Sequence, residues 1–139
     1  MRELIFAEKG TIDIWDLKQV RGGLVDLEFI AQYLQLISAH ETPEILDQNT
    51  LRAFQNLRDA GLISAAHADV LVPATRLIHN LTQILRICIS DRFDRAKAPK
   101  GLKELLARAG AAPTFDALED TLSGTLGDVH RVFDEILGT

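Results

Sequence analysis

Sulfur, proline and positive charge are all scarce in this chain. Cys88 is the one cysteine in 139 residues, so no internal disulfide can form, and a lone thiol fits a reducing compartment; the expected location is the cytoplasm. Four prolines and nine glycines are scattered, with no Ser/Gly/Pro tract and no repeat period. That excludes a flexible linker, a disordered arm or a solenoid. No apolar run approaches the ~18 residues that span a bilayer, and a start carrying Glu3, Glu8 and Lys9 is no signal peptide. No membrane partner is expected. The net charge is -5 with mixed signs, whereas binding a phosphate backbone needs clustered Lys and Arg, so no nucleic-acid partner is expected either.

What is present is apolar residue in the right amount and at the right spacing. A hydrophobic share of 47% against 25% charged suffices for one ordinary core in one domain. At about 100° per residue the apolar positions gather into helical arcs, and no strand pattern emerges. A first helix is expected from about Leu24 to Ala39, with Glu28, Gln32 and Gln35 on one face and apolar residues on nearly all the rest, as in a central helix. After His40-Glu41-Thr42-Pro43, Asp47 or Asn49 caps a second helix with Leu51, Phe54 and Leu57 inward, and Gly61 stops it. Ser64 caps a third, whose stripe reads Val70, Ala74, Leu77, Leu81, Ile84, Leu85 and Cys88. His79, Gln83, Arg86 and Ser90 face away, and Pro73 kinks this helix or marks its true start. A short helix through Leu102, Leu105, Leu106 and Ala109 closes at Gly110 and Pro113. Thr114 caps a last one of over twenty residues, striped by Phe115, Leu118, Leu122, Leu126, Val129, Phe133, Ile136 and Leu137. The predicted fold is all-α, an up-and-down bundle of four to five helices. Residues 1–23 form a lead-in segment and residues 24–139 the bundle.

Most chemical candidates fail on setting. Cys88 lies in an apolar stripe and reads as a packed core thiol, since a nucleophile needs an exposed, electropositive site. His40, His67, His79 and His130 form no His-x-x-x-His pair, and none follows a Glu by three residues, so no histidine metal site is expected. Arg92, Arg95, Lys97 and Lys100 alternate with Asp91 and Asp94 and read as a solvated connection. No catalytic residue is assigned.

The segment Arg21-Gly22-Gly23-Leu24-Val25-Asp26-Leu27-Glu28-Phe29 is different. Gly-Gly followed by Asp-x-Glu has the outline of the carboxylate pair that chelates Mg²⁺ in nucleotidyltransferases, where alternate strand residues point the same way. Here the helical period runs on past Phe29, and on a helix Asp26 and Glu28 point about 200° apart. They cannot share a metal. Asp26 instead falls in the apolar arc between Tyr33 and Ile37, where a carboxylate costs several kcal/mol unless paired. Lys18, Arg21 or another domain's cation could pair it, or it serves the helix dipole and fastens the incoming chain. Gly22 and Gly23 permit positive φ and close approach, and the free N–H groups of a helix start suit a phosphate. With Lys18 and Arg21 alongside, the helix start is a candidate for nucleotide binding or for docking on a catalytic domain.

Trp15-Asp16-Leu17-Lys18 followed by Arg21 through Leu36 closely resembles the glutamine synthetase adenylyltransferases (glutamate-ammonia ligase adenylyltransferases). In that family each of two homologous halves joins a polymerase-β-like nucleotidyltransferase domain to a helical bundle, and this motif opens the bundle. One half adds AMP to a tyrosine of glutamine synthetase and the other removes it. The removing half reads Gly-Gly-Ile-Arg-Glu-Ile-Glu-Phe, whereas Gly22 through Phe29 and the stretch His40–Pro43 resemble the C-terminal, adenylylating half. The resemblance is strong from Trp15 to Pro43 and looser to Arg86; Pro73 departs from it. It implies that the metal carboxylates lie upstream, that ATP and Mg²⁺ serve the full enzyme and neither is bound by this chain alone, and that the chain alone is an inactive fragment. It further implies that Lys18, Arg21, Gly22, Gly23, Asp26 and Glu28 line the junction with the catalytic domain, with glutamine synthetase and the PII signal protein as partners. Two rivals are a non-catalytic module binding either of those proteins and a stand-alone substrate-binding subunit of a nucleotidyltransferase.

Overall fold

Short polar side chains start three of the helices. The Arg52 N–H donates to Asn49 Oδ1 at 3.0 Å, the His67 N–H to Ser64 Oγ at 3.0 Å and the Ala117 N–H to Thr114 Oγ1 at 3.1 Å. Each satisfies one of the N–H groups that a helix start leaves without a partner. The computed structural model describes residues 14–38, 49–88, 93–94 and 96–138. Among these, α1 spans Leu24–Ser38, α2 Thr50–Asp59, α3 Ala65–Cys88, α4 Lys100–Ala109 and α5 Phe115–Leu137, with no strand. Ala39, the stretch His40–Pro43, Asp47, Ser90, Asp91, Arg92 and Arg95 lie outside the described residues, as do Glu3, Glu8 and Lys9.

The all-α bundle expected from the sequence is what forms. α3 and α5, the two long helices, pack on each other; α1 and α2 close one side, and α4 covers part of both long helices. Leu27 and Ile30 of α1, Phe54 and Leu57 of α2, Leu71, Ile78 and Leu81 of α3, and Leu118, Leu122 and Phe133 of α5 meet in the core and are almost wholly buried. Burying each such side chain stabilises the fold by about 1.5–3 kcal/mol. Gly61, with φ +73°, ends α2 as expected. Past α4 the left-handed position falls on Ala111, at φ +56°, rather than on a glycine.

Residues 14–23 of the lead-in pack onto the bundle. Trp15, Leu17 and Val20 join the core. The Trp15 ring stacks on Phe115, 5.4 Å between centroids and 7° between planes, and meets Phe93 at 4.9 Å. Its indole N–H donates to Glu119 Oε2 at 2.8 Å, tying the segment to α5.

Four expectations change. Cys88 is exposed, because Arg86, Ile87 and Cys88 are all open to solvent at the last turn of α3; the apolar stripe runs one turn further than the packing. The buried face of α3 is centred on Leu71, Ala74, Thr75, Ile78 and Leu81, while Val70, Leu77, Ile84 and Leu85 sit at its half-buried margin. Pro73 does not start α3, which begins at Ala65 and runs through it; Pro73 is exposed, so the missing hydrogen bond falls on the solvent side. Gln35 leaves the polar face of α1: it is buried, and its side-chain amide donates to the Ala31 carbonyl at 3.2 Å.

Candidate functional site at the start of α1

The turn that feeds α1 is closed by its own backbone. The Gly23 N–H donates to the Val20 carbonyl at 2.9 Å, Leu24 N–H to Leu17 at 2.7 Å and Val25 N–H to Lys18 at 3.1 Å. The Gly22 N–H donates to Asp26 Oδ2 at 2.6 Å, in a buried bond. Four consecutive N–H groups that could have faced a phosphate are thus turned onto the chain itself. The phosphate-cradle reading of Gly22 and Gly23 loses its donors, and the closed turn explains why glycine stands there. Gly22 has φ +82°, and a Cβ on it would lie 2.0 Å from the Leu126 carbonyl oxygen of α5. One on Gly23 would lie 2.3 Å from the Leu17 carbonyl oxygen. Both glycines are close-approach residues.

Asp26 is wholly buried. Its carboxylate draws the Gly22 N–H across the turn and sits in the first turn of α1, where the helix dipole favours negative charge. The clasp joins turn, α1 and α5, because Gly22 is the residue pressed on Leu126. Glu28, two residues on, is exposed. Their separation by the helical period, expected from the sequence, therefore divides them between core and solvent. Lys18 is exposed and Arg21 half-buried. Among the described residues no group of three or more His, Cys, Asp or Glu could hold a metal ion, and Asp26 and Glu28 do not fit Mg²⁺ between them.

The sequence suggested a central α1, but its apolar surface is not all covered. Phe29 and Tyr33 are more than a third exposed, Ile37 is 60% and Leu36 78%. These positions fall within about 100° of one another around the helix, and Asp26 belongs to the same arc. One face of α1 is therefore capped at its start by the turn 14–23 and bare along its second half. Glu28 and Gln32 border the bare part along one edge. Phe29 is steadied from below by Phe133, 5.9 Å between ring centroids. A contiguous exposed apolar stripe edged with polar residues is the usual mark of an interaction surface. The signal lay in the excess of apolar residues on α1 over what one buried face needs.

The structure thus defines a helical domain with a clasped motif and an open face. Comparison with known proteins gives the family. The model of the family described as GlnD PII-uridylyltransferase matches residues 6–137, and the chain belongs to that family. The chain is 49% identical over 138 residues to a bifunctional glutamine synthetase adenylyltransferase/adenylyl-removing enzyme of Rhodopseudomonas palustris. It is 48% identical over 137 residues to the enzyme of that name from Bradyrhizobium diazoefficiens and 45% over 139 residues to that of Xanthobacter autotrophicus. These matches cover 99 to 100% of the chain, so the resemblance read in the motif holds along its length. The chain spans 14% of the length of these relatives. No solved structure matches.

Proposed function

We propose that this chain is the helical domain that follows the C-terminal, adenylylating nucleotidyltransferase domain of an enzyme acting on glutamine synthetase. The observation that carries the reading is the bare stripe Phe29, Tyr33, Leu36 and Ile37 on the helix that the family motif opens. The clasp of Gly22 and Asp26 sets the angle at which α1 leaves the turn, and the stripe with Glu28 and Gln32 docks on the catalytic domain. Lys18 stands exposed at the same end, placed to meet a nucleotide or the target tyrosine loop.

The enzyme so formed uses ATP and Mg²⁺ and works in the cytoplasm, with glutamine synthetase as substrate and the PII signal protein as a regulator. The metal carboxylates belong to the catalytic domain, because this chain's own pair is split between core and solvent. Its residues contribute position and exclusion of water around the reacting groups, not the metal site.

The test is AMP transfer to glutamine synthetase by a protein carrying this domain together with its nucleotidyltransferase domain. Tyr33→Asp should lower the transfer rate at least tenfold, while Lys18→Gln should raise the KM for ATP or for glutamine synthetase with a smaller effect on kcat. Unchanged rates in both variants would overturn the docking role and leave a module that binds without serving the nucleotide site.

A further inference from the structure

A second surface, away from the stripe on α1, has its own chemistry. Residues 93–113 carry five cations against two carboxylates in a chain whose net charge is -5. α4 presents Lys100, Lys103 and Arg108 along one side of a groove of about 580 Å³, closed on the other side by the turn into α5. Ala107, Pro113 and Phe115 give it an apolar floor. Glu104, the one carboxylate in the lining, lies 3.9 Å from Lys100. Lys103 sits over the Phe115 ring, 5.5 Å from its centroid, and neither Lys103 nor Arg108 is paired with a carboxylate of the described residues.

We propose that this groove binds an acidic peptide segment, with an apolar side chain on the floor and carboxylates on Lys103 and Arg108. Charge complementarity sets the sign of the occupant. Dimension sets its form: from Lys100 to Arg108 the helix rises about 12 Å, the span of about four extended residues, longer than a compact dicarboxylate. An open groove with cations spread along it and apolar surface between them suits a chain that alternates the two. The site is independent of the docking face on α1 and does not rest on the adenylylation reading.

Trp15 is the one tryptophan and stacks on Phe115, so its fluorescence reports on the groove. The 139-residue chain is titrated with acetyl-Asp-Leu-Glu-Glu-amide, and backbone ¹H–¹⁵N shifts of residues 100–115 are followed as a second readout. The acidic peptide should bind saturably, and more weakly by severalfold when salt rises from about 50 to 200 mM. The double variant Lys103→Gln/Arg108→Gln should weaken binding at least tenfold, and Arg76→Gln, the same kind of change on α3, should not. Equal losses in the double variant and in Arg76→Gln would mean general charge attraction and overturn the site. Glutarate binding as tightly as the peptide would make it a small-anion site and overturn the peptide reading, as would absence of saturation. The amide shifts keep the result readable if removing Lys103 alters the Trp15 signal itself.

Discussion

The two ends of one face of α1 differ in chemistry and in fate. At its start Asp26 is wholly buried beneath the turn 14–23, bonded to the Gly22 N–H. About three turns later, on the same arc, Ile37 is 60% exposed. The polar residue is inside and the apolar ones are outside, the reverse of what hydrophobicity alone dictates. The difference teaches that the motif has two jobs. Its first half is a structural clasp, specified by close approach and a buried hydrogen bond; its second half is the open apolar surface that the proposed docking would cover.

The comparison breaks most sharply at Gly22. Gly22→Ala forces a Cβ into the Leu126 carbonyl at a left-handed φ, so either the turn or α5 must move. The expected cost is above about 3 kcal/mol, read as a collapse of the thermal unfolding midpoint. Asp26→Ala should follow at about 1–3 kcal/mol, because it leaves the Gly22 N–H buried without its acceptor. Asp26→Asn keeps an acceptor oxygen and should recover part of the loss. Urea unfolding of the two variants measures the difference, and equal losses would assign the effect to charge rather than to the hydrogen bond.

At the other end of the scale, Glu28→Lys on the exposed side should change stability by no more than about 0.5 kcal/mol. A destabilisation as large as that of Asp26→Ala would erase the division between clasp and surface. Also small, but opposite in sign, is Gly124→Ala. Gly124 lies inside α5 with open space where a Cβ would go, so the change should stabilise by about 0.5–1 kcal/mol, measured by the same unfolding.

Much of this was legible beforehand. Asn49, Ser64 and Thr114 act as the caps their chemistry suggests, and the stripe of α5 from Leu118 to Phe133 is buried as its spacing requires. The helical period alone separated Asp26 from Glu28. What periodicity could not supply was where neighbouring elements stop. Cys88 continues an apolar stripe, yet α3 is uncovered there, and Tyr33 continues an apolar face that the bundle leaves open. The clasp was hidden for another reason. A bond from the Gly22 N–H to Asp26, and a glycine pressed on α5 more than a hundred residues along the chain, depend on tertiary approach, and two glycines before a helix are equally consistent with a phosphate site.

The most direct test of the division is AMP transfer to glutamine synthetase by an enzyme carrying Glu28→Lys together with Gln32→Lys, measured alongside the melting temperature of the 139-residue chain with the same changes. If the bare face of α1 docks on the catalytic domain, transfer falls at least tenfold, about 1.4 kcal/mol of barrier, while the melting temperature stays within about 2 °C of the unaltered chain. Full transfer activity with both cations in place would contradict the account.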